Sequence, residues 1–323
     1  MKRSMIRFAT TVLSIYLCAA TAFARELIPV GQIIGLELSA GTVTVAAFDD
    51  ALTVGRESGL QIGDQILSID DTAIRCAEDV RKALRCSDGS VDMVISRDGR
   101  ETAIHMEPEI TASGPKLGIY LKQGITGIGT VTYYDPQTKQ FGTLGHGVND
   151  GKGSLLPMAQ GNAYPATIAS VQKGKSGAPG QLKGALSSSQ ILGTLSGNTA
   201  QGVFGTAANG FSGDPMEIAA AGEVRTGAAT IRSTVSGSTP REYSVEILKI
   251  YPRDRSDCRN LLLRITDPAL LETTGGIIQG MSGSPILQDG KLVGAVTHVL
   301  VNDPTRGYGI FIENMLDAAK GGD

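Results

Sequence analysis

A serine framed by glycines just ahead of an apolar run, Gly280-Met281-Ser282-Gly283-Ser284-Pro285-Ile286-Leu287, is the best candidate nucleophile in this chain. Glycine on both sides lets the backbone bend sharply and brings N–H groups near the serine oxygen, as attack on a carbonyl requires. A hydroxyl is a weak nucleophile at neutral pH. It needs an imidazole to take its proton, and a carboxylate to set the tautomer and orientation of that imidazole. Only three histidines are present, His105, His146 and His298. His146, in Phe141-Gly142-Thr143-Leu144-Gly145-His146-Gly147-Val148, follows an apolar strand and is enclosed by glycines as Ser282 is. Taken singly, the serine reads as a turn and the histidine as a structural residue. Together, at the ends of strands in one β-rich chain, they point to acyl transfer.

The elements that must position this pair are short strands. Beyond the linker bracketed by Glu107-Pro108-Glu109 and Ser113-Gly114-Pro115, alternating apolar segments recur between turns: Gly118–Gln123, Ile128–Tyr134, Gln140–Leu144, Thr167–Gln172, Ala228–Val235, Arg241–Tyr251, Asn260–Thr266, Pro285–Leu287 and Leu292–Val299. Such spacing predicts a β-sandwich or barrel. The run from Ile312 to Lys320 is the one clear helix of this half. The region Gly193–Gly213 and the stretch around Pro165 read as loops.

The chain has 323 residues, 42 glycines and no tryptophan, enough for two domains of turn-rich β structure. Lys2, Arg3 and Arg7 precede an apolar run from Phe8 to Phe23 that ends in Ala22-Phe23-Ala24, the pattern of a secretory signal peptide or a retained N-terminal anchor over residues 1–24. Without those three basic residues, 26 basic side chains face 32 acidic ones, which gives no reason to expect nucleic acid as a partner. Cys76, Cys86 and Cys258 form no metal-type or disulfide framework, so neither a metal nor another cofactor is expected.

Three resemblances sharpen this reading. Ser58-Gly59-Leu60-Gln61-Ile62-Gly63-Asp64-Gln65-Ile66-Leu67-Ser68-Ile69-Asp70-Asp71, with the helix Cys76–Leu84 and the hairpin Val91–Met106, resembles a bacterial PDZ domain spanning residues 27–108. That resemblance implies a peptide groove between the strand Ile34–Leu38, with Ile34 and Leu36, and the helix residues Val80 and Leu84, which lie four apart on one face. Its occupant would be an extended C-terminus, of a partner or of the chain itself. Gly280 through Thr297 is similar to the chymotrypsin-type nucleophile segment with its following hairpin. The similarity implies oxyanion donors at Gly280 and Ser282 and a supporting hydroxyl at Thr297, with Met281 in place of the usual aspartate.

The mature chain as a whole resembles the stage IV sporulation protein B family. The match lies in residues 142–148, Arg264–Pro268, Thr274–Pro285, Thr297-His298-Val299, Val301–Pro304 and Gly307–Ile310. It implies a mostly β protein: an α+β PDZ domain, then a chymotrypsin-like double β-barrel serine peptidase over 109–323. His146, Asp267 and Ser282 would be its triad. The family implies an exported endopeptidase acting between the membranes around a forming spore, where it processes itself and cuts a membrane-bound regulator of intramembrane proteolysis, releasing a late sigma factor. Asp267 precedes Ser282 by only 15 residues, whereas a chymotrypsin-type acid belongs to the first barrel. Asp150 and Asp214 are its rivals. The competing reading is an exported PDZ adaptor with an inert barrel.

Overall fold

The computed structural model describes residues 25–321 except 152, 188 and 189, so the expected signal or anchor over 1–24 lies outside the described residues. Two strands come first, β1 (Glu26–Pro29) and β2 (Ile33–Ser39). An α+β unit follows, with β3 (Val43–Phe48), the short helix α1 (Val54–Glu57), β4 (Gln65–Ile69), β5 (Thr72–Ala73), α2 (Ala77–Cys86), β6 (Val91–Arg97), β7 (Arg100–Met106), the hairpin β8 (Glu109–Thr111) and β9 (Gly114–Lys116), and β10 (Ile119–Lys122). Its sheet runs β10-β3-β4-β6-β7, with β5 on β4. Val80, Ala83 and Leu84 of α2 close over Val43, Ile66, Ile69, Met93 and Ile95 to make a core of its own.

The rest is β11 (Ile125–Tyr134), β12 (Gln140–Thr143), β13 (Gln160–Gln172), β14 (Gln181–Leu186), β15 (Gly193–Thr199), β16 (Gly202–Ala207), β17 (Met216–Glu217), β18 (Gly227–Ser233), β19 (Arg241–Ile250), β20 (Leu261–Ile265), α3 (Pro268–Thr274), β21 (Pro285–Gln288), β22 (Lys291–Leu300), β23 (Asp303–Phe311) and α4 (Ile312–Lys320). Strands β2, β11, β12, β16, β15 and β13 pair in that order, and β13 returns to β2, closing a first ring. A second closed barrel runs β18-β19-β20-β23-β22-β21. Its register follows from alternation. Ile231 faces Tyr243 and Val245 faces Ile265 across neighbouring strands, and all four point into one core. This is the expected mostly β, chymotrypsin-like double barrel.

The expected partition at residues 27–108 and 109–323 does not match the strand pairing. β1 and β2 belong to the first ring, and the α+β unit is inserted between β2 and β11, ending with β10. β2 is paired on both edges, with β11 and β13, so it offers no free edge for a peptide. Ile34 is wholly buried in the core of the first barrel, and Leu36 is nearly so. Neither is a groove residue of the α+β unit. The loop before them meets the second barrel instead: Thr234 Oγ1 donates to Gly31 O at 2.9 Å, and Arg232 Nη1 to Pro29 O at 2.7 Å. The free edge beside α2 is that of β10, and Val80 and Leu84 do line the space between them.

Candidate active site

Ser282 sits in the loop that leads from α3 into β21, at the seam between the barrels. Two buried threonines of β11 hold that loop from the other side. Thr130 Oγ1 donates to Gly280 O and Thr132 Oγ1 to Gly283 O, each at 2.8 Å, and Thr130 N–H donates to Ser282 O at 3.0 Å. Gly283 has φ +95°, and a side chain there would lie 2.0 Å from Thr130 O and 2.6 Å from Leu144 N, so only glycine fits. Met281 is fully buried in the core of the second barrel. Ser284 Oγ is spent on Ser233 Oγ at 2.9 Å and Met281 O at 2.7 Å, which leaves Ser282 as the only hydroxyl of the loop turned to the cleft.

His146 follows β12 through two left-handed residues, Leu144 (φ +69°) and Gly145 (φ +68°). A non-glycine residue held there marks a backbone fixed by its surroundings. Leu144 is held by burial in the first core and by its N–H on Thr130 O at 3.3 Å. A Cβ added at Gly145 would stand 2.9 Å from Thr297 Cγ2 and 3.0 Å from Ile310 Cγ2, so the glycine lets the chain run close against the second barrel and places the histidine there. His146 Nδ1 is 2.9 Å from Gly147 O. A carbonyl only accepts, so Nδ1 carries the proton and Nε2 keeps its lone pair, the tautomer a general base needs. Burial holds the imidazole below its ordinary value, favouring the neutral ring, and the Gly147 bond opposes that in part.

His146 and Ser282 line one cleft of about 440 Å³, together with Gly280, Thr297 and His298. Leu36, Leu38, Ile125, Ile128, Ile278 and Val299 supply its apolar walls. Ser282 Oγ donates to Thr297 O at 2.8 Å, on the edge of β22 that has no strand partner beyond Val296 among the described residues. The N–H groups of Gly280 and Ser282 have no acceptor among the described residues, whereas those of Met281, Gly283 and Ser284 are all bonded.

The carboxylate is where the sequence reading and the geometry part. Asp267 is not in the cleft. It is the N-cap of α3, with Oδ1 accepting from Leu270 N at 3.0 Å and Oδ2 lying 3.4 Å from Ser244 N. Its place in Thr-Asp-Pro suits that role, since Pro268 occupies the first helical position. Asp150 accepts from Ser154 N–H at 3.0 Å within its own loop, and Asp214 is exposed; neither lines the cleft. Thr297 supports no carboxylate either, because Oγ1 donates to Tyr308 O at 3.2 Å. An Asp267→Asn variant, which keeps a capping oxygen, should therefore retain near-normal cleavage. Asp267→Ala should lose about 1 kcal/mol of stability, read by thermal unfolding.

Three residues of the site were not foreseen. Thr130 and Thr132 looked like ordinary strand residues. Asn198 of β15 fixes the histidine loop, accepting Val148 N–H at 2.9 Å and donating to Val148 O and Leu156 O at 2.8 and 2.9 Å. Its signal was faint: asparagine is disfavoured in strands, so one in a strand needs a side-chain reason.

A family model described as SpoIVB peptidase S55 matches residues 114–316. No curated protein matches the chain. The similar solved structures include the Rv3671c protease of M. tuberculosis. Its inactive form is 13% identical, covering 60% of this chain and 84% of that one at a TM-score of 0.34. Its active form is also 13% identical, covering 61% and 73% at 0.34.

Proposed function

The chain belongs to the SpoIVB peptidase S55 family, and from that premise, a serine peptidase acting on protein substrates, we propose that Ser282 and His146 carry the hydrolysis. Ser282 Oγ leaves the Thr297 carbonyl and attacks the scissile carbonyl carbon while its proton passes to His146 Nε2. The carbonyl electron pair moves to oxygen, where the unoccupied N–H groups of Gly280 and Ser282 receive it. The proton then goes from His146 to the leaving nitrogen as the C–N bond breaks, and water repeats the sequence on the acyl-enzyme. The observation that carries this reading is the shared cleft, with His146 in the accepting tautomer. Extended substrate adds along the open edge of β22, in contact with apolar walls. Asp267 has no part in it beyond capping α3.

The α+β unit acts as a PDZ-type docking module whose groove lies between α2 and β10, with Val80 and Leu84 on one side and Leu117, Gly118 and Ile119 at its end. A space of about 460 Å³ lies there. A peptide with a free apolar C-terminus should bind at least tenfold more tightly than its C-terminal amide, by calorimetric titration; equal affinities would remove the groove from this role.

Family membership further supports self-processing and cleavage of a membrane-bound regulator that triggers intramembrane proteolysis and a late sigma factor, after export into the space between the forespore membranes. A fluorophosphonate should label Ser282 of the folded protein. No labelling, with function intact in Ser282→Ala, would favour the exported adaptor.

A further inference from the structure

Behind His146, away from Ser282, a second cavity of about 440 Å³ opens. It is lined by His146, Ala200, Asp257, Cys258, Arg259 and His298. A histidine base is ordinarily oriented by a carboxylate, and among the described residues no carboxylate is bonded to His146. Instead the His298 ring stands with its centroid 5.2 Å from that of His146, tilted by 42°. Two imidazoles joined by one N–H···N bond of ~2.9 Å have centroids about 5 Å apart, so the pair is within reach of that bond. Two buried side-chain nitrogens among the described residues lack a partner, His298 Nδ1 and Arg259 Nε, and both residues border this cavity. An unpartnered buried polar atom is costly unless something in the working cycle satisfies it.

The loop behind His298 is built with care. Asp257 is clamped by Arg255, at 2.5 Å from Nε and 2.9 Å from Nη2, and accepts Arg259 N–H at 3.2 Å. Cys258 between them is left-handed at φ +53°, and Arg259 lies over the Tyr308 ring at 5.2 Å. Asp257 and Arg259 are, with His146, the charged and titratable groups facing His298.

We propose that His298 is the third member of the site, a positioning residue that accepts from the His146 imidazolium as it forms, and that Asp257, which lines the same cavity with its oxygens held by Arg255, acts on His298 through its charge. The inference rests on the reading of Ser282 and His146 as the reacting pair. When His146 takes the serine proton at Nε2, its ring becomes a donor at both nitrogens. The Nε2 proton is the one that goes on to the leaving nitrogen, so a neutral His298 serves the other side of the ring, its unpartnered Nδ1 offering the His146 Nδ1–H a second acceptor beside the Gly147 carbonyl. Burial, with His146 and Arg259 adding to it, pushes His298 down to about 4, so it is neutral whenever the enzyme works near pH 7.

The test compares His298→Phe, His298→Gln and Asp257→Asn with the parent on one peptide substrate. His298→Phe should lower kcat about 100-fold with KM little changed, within the range for support of a general base. His298→Gln, which keeps an acceptor, should recover part of it. The sign of the pH shift is the discriminating readout. Loss of an acceptor makes His146 harder to protonate, so the acid limb of kcat/KM moves to lower pH in His298→Phe and, less, in Asp257→Asn. If His298 only crowds or repels His146, that limb stays or moves up, and the proposal fails. It also fails if His298→Phe and Asp257→Asn keep kcat within twofold and the pH profile unmoved while Ser282→Ala is inert. An active Ser282→Ala would sink the pair itself instead.

Discussion

Ser282→Ala is expected to abolish peptide-bond cleavage, with kcat falling roughly a millionfold to the level left by binding and oxyanion donors alone. His146→Ala should fall to the same floor, and the double variant no further, because the two act as one unit. The fold should tolerate the first change. Ser282 makes one side-chain bond, to Thr297 O, whose loss costs about 1 kcal/mol. Steady-state kinetics beside thermal unfolding separates the two effects. Residual cleavage above 1% of the parent in pure Ser282→Ala would place the nucleophile elsewhere.

Gly283→Ala is expected to be among the most damaging single-methyl additions in the described residues. The residue has φ +95°, and the new Cβ would meet Thr130 O at 2.0 Å and Leu144 N at 2.6 Å. Both are backbone atoms of the first barrel, so nothing flexible can yield. Backbone strain and overpacking together should cost at least ~3 kcal/mol. Because the clash falls between the serine loop and the root of the histidine loop, whatever folds should have lost most activity. Gly290→Ala is the control: φ is +75° there but nothing lies within 4 Å, so it should pay strain alone and keep its kcat. Similar unfolding temperatures for the two variants would contradict the packing argument.

How much was legible before the structure depended on what each residue was for. Alternating segments of the second barrel read clearly; Arg241–Tyr251 became β19, Arg241–Ile250, because one face is core and the other solvent. The serine and histidine loops were legible because glycine next to a reactive side chain is chemically pointed. The first barrel was legible only in part, through Ile128–Tyr134, Gln140–Leu144 and Thr167–Gln172, which fall in β11, β12 and β13. β13 carries Pro165 in its middle, paired opposite Ile34, where a proline argues against a strand. Gly193 and Gly205 read as loop, yet they sit in β15 and β16 because Phe141 packs 2.9 and 3.0 Å from where their side chains would begin.

The groove strand was misassigned for a related reason. Ile34–Leu38 looks like the strand wall of a peptide groove, but this segment pairs on both edges inside the first barrel. Insertion of the α+β unit between β2 and β11 cannot be read from either segment alone. The acid failed differently. Asp267 has the composition of a helix cap, Thr-Asp-Pro, and family resemblance outweighed that local signal, although the geometry gives it to α3.

The central claim is that His146 and Ser282 form one reacting unit at the barrel seam. A peptidyl chloromethyl ketone tests it most directly, since the serine adds to its ketone while the partner imidazole displaces chloride. Peptide mapping by mass spectrometry should find the alkyl group on His146, absent from His105 and His298, and its formation should nearly cease in Ser282→Ala. Alkylation of His298 in place of His146, or alkylation of His146 at an unchanged rate without Ser282, would contradict the account.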